Sequence, residues 1–448
     1  MTALRAMLDR LLPRGALLLG VLTFAGYVMG LLRDRLFART FGAGAELDAY
    51  NAAFVLPELA LDVLVASGLT APFVPVFTAA ARENPDLARR FAQTVLTLAA
   101  VVMGVASLLL LVLAPATVPI VAPGFDDAQT ALYLDLFRLM LITPILFAVS
   151  IALGEILVAE RRFLSYALAP ILYNAGIAGG TLLLHASLGI RAAAVGAVIG
   201  ALLHLGIRLI GIVRARFPLR PRLDLRTPAL REFLRLMIPK MVAHPIEPLT
   251  FLFFTSVATT LATGSVSAVS FARNFQSVPV SLIGASIALA AFPSLATAWA
   301  EGDRTGFTRE LRRALATVGV LTILAAIGLA VVGSIAIGML LGGGAFDDED
   351  VRLTASILTV FALSVPFDAL AHVTSRGLYA THNTLLPVLA ALAGFGVTLA
   401  VTWLALTPLG VLAIPAGFAA GMAAKTGLQG LALAVRLRRA PAGATAPQ

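Results

Sequence analysis

The sequence predicts an all-α integral membrane protein, with about twelve transmembrane helices in two six-helix pseudo-repeats around a central cavity. Three observations predict it. Of the 448 residues, 59% are hydrophobic and only 13% charged, against roughly 25% charged in a soluble domain, and the mean hydropathy is +0.94. That much apolar surface cannot hide in a soluble core of this size, so a bilayer must be the solvent. Arginine collects in alternate loops between the apolar stretches, and short motifs recur about half a chain apart.

A helix needs about 20 apolar residues to cross the hydrocarbon. Apolar segments run at roughly 15–36, 49–80, 91–122, 131–158, 164–187, 190–213, 232–262, 266–299, 314–342, 351–380, 385–407 and 409–435. The first follows Arg5, Arg10 and Arg14, a start that resembles a signal peptide. No convincing small-residue cleavage site follows, so it reads as a retained helix. Segments well over 20 residues imply tilt, kinks or projecting ends.

The loops test the count. The second carries Arg82, Arg89 and Arg90, and the fourth Arg161 and Arg162. The sixth holds Arg214, Arg216, Arg220, Arg222, Arg226 and Arg231, the eighth Arg304, Arg309, Arg312 and Arg313, and the C-terminus Arg436, Arg438 and Arg439. Opposite them stand Asp126 and Asp127, then Arg191 alone, then Asp347, Asp348, Glu349 and Asp350 against Arg352, while the seventh and eleventh loops hold no charge. Arginine-rich loops stay in the cytoplasm, so an even helix count is expected, with both termini cytoplasmic. The tenth loop has only Arg376 near it. The first breaks the pattern, because Arg33, Arg35 and Arg39 edge a loop expected outside.

Pro75-Val76-Phe77 before a basic stretch resembles Pro293-Ser294-Leu295 before another. Phe125-Asp126-Asp127 recurs as Phe346-Asp347-Asp348, and Ala169-Pro170 near Leu386-Pro387. A near-constant separation implies duplication. Each half holds six helices, so both enter the membrane the same way, related by an axis along its normal. The expected division is an N-terminal lobe with its linker over 1–222, a C-terminal lobe over 223–436 and a cytoplasmic tail over 437–448.

Ionisable residues at membrane depth face a cavity or one another. In the first helix pair these are Arg33, Asp34, Asp48, Glu58 and Asp62. Arg33-Asp34 reads either as a helix-end ion pair or as a cationic wall in the outer part of a cavity. In the seventh segment Pro239, Pro245 and Pro248 surround Lys240, His244 and Glu247. Three prolines remove backbone donors and break a helix, which lipid tolerates only where that backbone is buried in protein or lines a cavity. The segment is either a kink with an internal Lys–Glu pair or a hinge that binds substrate or ions. Asp368, His372 and Arg376 fall four apart on the tenth segment, as an interhelical salt-bridge stripe, a proton relay or an anion contact. Arg273-Asn274 is an isolated polar spot in the eighth, and Lys425 in the last snorkels or lines a cavity.

Other classes recede. Without cysteine there are no disulfides or thiolate metal sites, and five histidines show no ligand spacing, so neither metal nor cofactor is expected. No P-loop is present for ATP hydrolysis. The net charge of +9 is accounted for by loop arginines, so no nucleic-acid partner is expected. A transporter is expected, and not an enzyme.

The run Gly30-Leu31-Leu32-Arg33-Asp34-Arg35-Leu36-Phe37-Ala38-Arg39-Thr40-Phe41-Gly42-Ala43-Gly44 continues with Leu47-Asp48-Ala49-Tyr50, Phe54-Val55-Leu56-Pro57-Glu58-Leu59 and Ala71-Pro72-Phe73-Val74-Pro75-Val76-Phe77. It resembles the start of the MviN/MurJ lipid II flippases, in the multidrug/oligosaccharidyl-lipid/polysaccharide exporter superfamily. The resemblance resumes at Ala122-Pro123-Gly124-Phe125, at Arg162-Phe163 through Ala169-Pro170 and Asn174, at Gly264-Ser265-Val266-Ser267 with Phe271-Ala272, at Phe292-Pro293, and from Gly377 to Asn383. It implies a bacterial inner-membrane protein that exports undecaprenyl-pyrophosphate-linked peptidoglycan precursor by alternating access. Its partners would be that lipid-linked anionic substrate, membrane lipids and cell-wall synthesis enzymes. Arg33, Arg39, Lys240, Arg273 and Asn274 would bind the substrate, which explains the wrong-sided charge, since arginine's fork suits phosphate. Asp34, Asp48, Glu58 and Asp62 would pair or gate. Glu247, His244, Asp368, His372 and Arg376 would couple transport to Na+, H+ or the membrane potential.

The chain departs from the family pattern at Gly26-Tyr27, Leu61-Asp62, Ala66-Ser67 and Arg273-Asn274, and stops after the twelfth helix where typical members continue. Two alternatives follow: export of another lipid-linked glycan or cation-coupled drug export, and a non-transporting membrane scaffold.

Overall fold

The computed structural model describes residues 14–243 and 245–439. Among these residues the chain is helical, and β-type pairing is limited to the isolated bridge Gly343–Phe346. Helix α1 spans Arg14–Phe41. A bent run follows, made of α2 (Ala45–Leu61), a π-helical turn (Asp62–Ala66) and α3 (Ser67–Glu83). Helix α4 (Pro85–Val112) starts where Asn84 accepts the Asp86 N–H at 2.8 Å, with Pro85 in its first turn, a cap that satisfies an otherwise orphaned donor. Then come α5 (Ala114–Val121), α6 (Asp127–Met140), α7 (Ile142–Ala159), α8 (Phe163–Leu188) and α9 (Arg191–Arg214).

The second half repeats this order. Helices α10 (Pro228–Ala243) and α11 (Ile246–Thr259) make up the seventh segment, interrupted around Pro245. Helix α12 (Ser265–Pro279), a π-helical turn (Val280–Ala285) and α13 (Ser286–Ala300) match the bent run of the first half. Helices α14 (Arg304–Leu340), α15 (Asp348–Ala362), α16 (Val365–Ala380), α17 (Leu385–Leu409) and α18 (Ala413–Arg439) complete the chain. Asp126 caps α6 and Asp347 caps α15. Gly189 ends α8 at φ 55°, ψ −134°, and Gly410 ends α17 at φ 55°, ψ −131°. Such corners need glycine, since a Cβ disfavours positive φ. Duplication is thus visible in caps, π turns and corners as well as in sequence.

Packing divides the chain into two compact units: Met1–Phe41 with Ala45–Ser256, and Gly42–Gly44 with Val257–Gln448. The division falls beyond the 222/223 boundary read from the sequence, because α10 packs on α3. Phe233 of α10 meets Phe91 at 5.5 Å between ring centroids, and Phe91 meets Phe73 at 5.3 Å. Val65, Leu69, Met103 and Leu153 fill the same core. Gly68 admits α10, since a Cβ there would lie 2.5 Å from Met237 Cγ. The second unit is centred on Leu295, Phe307, Leu311, Val318, Val373, Leu378 and Leu433. The turn Gly42–Gly44 belongs to it because the Ala43 N–H donates to Asp350 Oδ2 at 3.0 Å.

In each half of the chain the last two helices form a close hairpin. Helices α8 and α9 meet through Gly176, Gly180, Gly196 and Gly200, and α17 and α18 through Gly394, Gly417 and Gly421 against Thr398 and Thr402. Small residues let backbones approach where lipid offers no hydrophobic drive.

By length and composition, eight described helices suffice to cross a membrane, or nine if α15 and α16, bent by 41°, count as one span. The expected count was about twelve. The differences have local causes. The proline-rich seventh segment is cut into helices of 16 and 14 residues. The run Leu385–Arg438 counts once although it doubles back at Gly410 as α17 and α18. Many large apolar side chains face outward, with Leu183 83% and Leu404 81% exposed, which suits lipid contact.

Candidate functional site

Each unit carries polar residues inside its helices. In the first, the Arg33 guanidinium on α1 donates from Nε (3.0 Å) and Nη2 (2.7 Å) to Asp34 Oδ1. Both side chains are sheltered, at 26% and 13% exposed. Helix α1 packs on α8, so Arg33 has Tyr173 of α8 and Tyr50 of α2 as electrostatic neighbours. Tyr50 is buried between Phe37 and Phe54, at 5.2 and 5.1 Å, and Tyr173 stands edge-on to Phe147 at 4.9 Å. These aromatic walls fix the ground around the guanidinium. Glu58 has Asp62 and Arg33 as charged neighbours. The structure therefore brings Arg33, Asp34, Glu58 and Asp62 into one electrostatic cluster. Asp48 is buried at the start of α2, and Arg39 is exposed at the end of α1.

In the second unit, Arg273 of α12 is 9% exposed. Its Nη1 donates to Gln276 Oε1, and its guanidinium lies 5.0 Å from the Phe418 ring of α18, a cation–π contact. Gln276 is fully buried and passes the link on: Nε2 donates to Ser364 Oγ at 3.1 Å and to Asp368 Oδ2 at 3.3 Å. A continuous path thus runs from a buried cation on α12 to a carboxylate on α16. A primary amide suits this position because its oxygen accepts from arginine while its nitrogen donates to the acid.

The stripe of three on α16 is split by its neighbours. Asp368 turns to Gln276, His372 is exposed, and Arg376 lies 5.6 Å from the Phe292 ring. Asn274, next to Arg273, is exposed. Glu247 sits exposed in the first turn of α11. His244 lies outside the described residues, and the side chain of Lys240 is likewise not described. Among the described residues no group of histidines and carboxylates is arranged to hold a metal.

Sequence reasoning passed over Gln276, Ser364 and Phe418, which fix Arg273, and also Ser150, Glu155, His204 and Arg208, which are buried together in the first unit. The first three carry no formal charge and give no signal in a hydropathy pattern. The others could have been found from His204 and Arg208, four apart inside an apolar segment.

A family model described as lipid II flippase MurJ matches residues 37–444. A probable lipid II flippase MurJ of Thermotoga maritima is 28% identical, the match covering 83% of this chain and 74% of the relative. A lipid II flippase MurJ of Burkholderia cenocepacia is 24% identical over 84% and 74%. Among solved structures, a lipid II flippase MurJ in an inward closed conformation superposes with a TM-score of 0.80 at 22% identity, covering 93% of this chain and 87% of that one. An inward-facing multidrug resistance MATE family transporter also reaches 0.80, at 14% identity over 92% and 94%. At these identities the structural likenesses establish the fold.

Proposed function

This chain belongs to the lipid II flippase MurJ family, and from that premise we propose that it carries undecaprenyl-pyrophosphate-linked peptidoglycan precursor across the bacterial inner membrane by alternating access. The match over residues 37–444 carries the reading. The arginine clusters support it: an anionic headgroup needs cations at membrane depth, and Arg33 and Arg273 are sheltered guanidinium groups held by protein partners. Each is assigned to the phosphates, with Asp34 holding Arg33 in place. Arg39, Lys240 and Asn274 are assigned to the same substrate, Asp48, Glu58 and Asp62 to gating, and Glu247, His244, His372 and Arg376 to coupling. Asp368 is assigned to coupling too, since the Gln276 amide joins it to Arg273. The arginine-rich loops support a cytoplasmic position for both termini, with the product passed to cell-wall synthesis enzymes on the other side.

Liposomes that contain the purified protein and fluorescent lipid II test this reading, with the outer-leaflet fraction read by a membrane-impermeant quencher. Wild type equilibrates the leaflets. Arg33→Ala, still membrane-inserted, slows flipping at least about tenfold, in line with loss of a charge-assisted contact of about 1.5–3 kcal/mol. Transport by Arg33→Ala at the wild-type rate would remove that residue from the site, and wild-type liposomes that fail to equilibrate lipid II would remove the function.

One observation favours a second reading. Asp34, Glu58 and Asp62 outnumber Arg33 in their cluster, which suits a cationic drug. Uptake of an organic cation by the same liposomes, with lipid II left unflipped, would decide for it. A non-transporting scaffold would fail both assays and would not restore growth to flippase-depleted cells.

A further inference from the structure

A second polar cluster lies inside the first unit, where α7, α8 and α9 meet. Glu155 and Ser150 come from α7, His204 and Arg208 from α9, and Tyr166 from α8. Glu155 and His204 are each 5% exposed and Arg208 6%. Ser150 Oγ stands 2.8 Å from His204 Nδ1 and 3.3 Å from the His204 carbonyl oxygen. Arg208 Nη1 donates to the Ser150 carbonyl at 2.7 Å, and the guanidinium lies 5.0 Å from the Tyr166 ring. The chain makes room for this cation: a Cβ on Gly154 would lie 2.7 Å from Arg208 Nη1.

Two groups in the cluster are left incomplete. Arg208 Nε is buried without a hydrogen-bond partner. The Glu155 carboxylate has Arg208 as its charged neighbour, yet among the described residues no hydrogen bond or direct ion pair reaches it. A buried ion pair holds only when geometry and hydrogen bonds are both complete, and an unpaired buried charge is costly. The other face of α7 gives no relief, since α3 and α4 bring Leu69, Phe73, Phe91 and Val95. Among the described residues the remaining titratable groups beside Arg208 are Tyr166 and His204, the latter with its ring packed on Phe147 at 4.7 Å. The acid therefore has two low-energy options: swing onto the incomplete guanidinium as a carboxylate, or take a proton and become neutral. Water is close, because Glu155 stands about one turn from the end of α7 at Ala159, beside the exposed Glu160–Arg162 corner.

We propose that Glu155 is a proton-binding site of the first unit, alternating between a neutral acid beside Arg208 and a carboxylate paired with it, so that proton occupancy sets how α9 packs on α7. The step balances simply: a hydronium at the Arg161–Arg162 end gives its proton to a Glu155 carboxylate oxygen, leaves water behind, and is regenerated on release. No other bond forms or breaks. The site rests on the transport reading only for its use, as the place where protons are coupled to movement.

Infrared difference spectra of substrate-free protein in nanodiscs, taken as pH is stepped from alkaline to acid, test it directly. Wild type gains a carboxylic acid C=O band that Glu155→Gln lacks. Should the glutamine variant fail to fold, Glu155→Asp keeps the band at a shifted frequency. Identical difference spectra in wild type and variant, or no carboxylic acid band in wild type, would overturn the proposal. The readout needs no lipid II, so a failure of the flippase reading stays distinguishable from a failure of this one.

Discussion

Arg33 and Arg273 are both sheltered arginines, but different chemistry holds them. Arg33 is gripped by the carboxylate next to it in the chain, while Arg273 is held by a neutral amide and an aromatic ring from other turns. Gln276 is the more vulnerable joint. Gln276→Leu fills similar volume but removes the amide that joins Arg273 to Ser364 and Asp368, and a lost buried hydrogen bond to a charged group costs about 1–3 kcal/mol. The expected result is a lower melting temperature by intrinsic tryptophan fluorescence in detergent. Arg273→Lys keeps the charge and loses the planar stack and fork, so flipping falls about tenfold with melting little changed. If the lysine variant flips at the wild-type rate, a point charge is enough there. The charged members of both clusters were legible in the sequence because ionisable residues at membrane depth stand out. Asp34, the holder of Arg33, was legible with them, but the groups around Arg273 were not, because glutamine, serine and phenylalanine are ordinary in such segments. Asp368 was read along its own helix with His372 and Arg376, whereas its hydrogen bond crosses from α16 to α12, a relation that spacing within one helix cannot reveal.

At the scale of elements, what distinguishes the fold is how close its hairpins pack. On α9, a Cβ at Gly196 would lie 2.8 Å from the Ile177 carbonyl oxygen, a backbone atom that cannot step aside, while nothing lies within 4 Å of a Cβ at Gly179 on α8. Gly196→Ala therefore forces the helices apart and destabilises by about 1–3 kcal/mol. Gly179→Ala is neutral or slightly stabilising through helix propensity. Thermal melting of the two variants beside wild type checks this, and equal melting temperatures would show that the hairpin tolerates widening. Segment positions were legible from hydropathy; their ends and breaks were less so. Helix α14 begins at Arg304, well before the apolar segment read from 314, because its first turns are basic and extend past the apolar run. The interruption around Pro245 was announced by its prolines. The π turns follow no comparable marker in the first half, where Asp62–Ala66 is an ordinary apolar pentapeptide with one acid.

For the whole molecule, the central question is whether the two repeats enter the bilayer the same way. An even number of crossings per repeat requires that corresponding loops lie on the same side, whereas an odd number would invert them. The pairs to compare are Glu83 with Glu301, at the ends of the bent runs, and Ala128 with Glu349, in the first turns of α6 and α15; all four positions are exposed. The chain contains no cysteine, so single cysteines introduced there react with a membrane-impermeant maleimide against no background. In intact spheroplasts, Ala128→Cys and Glu349→Cys label, while Glu83→Cys and Glu301→Cys label only after the membrane is opened. The arginine distribution dictates which pair is which, since Arg82, Arg89 and Arg304 flank one pair and acidic residues the other. Labelling of Glu83→Cys and Glu301→Cys from opposite sides would mean inverted repeats, and would undo the parallel duplication that the matching caps, π turns and glycine corners describe.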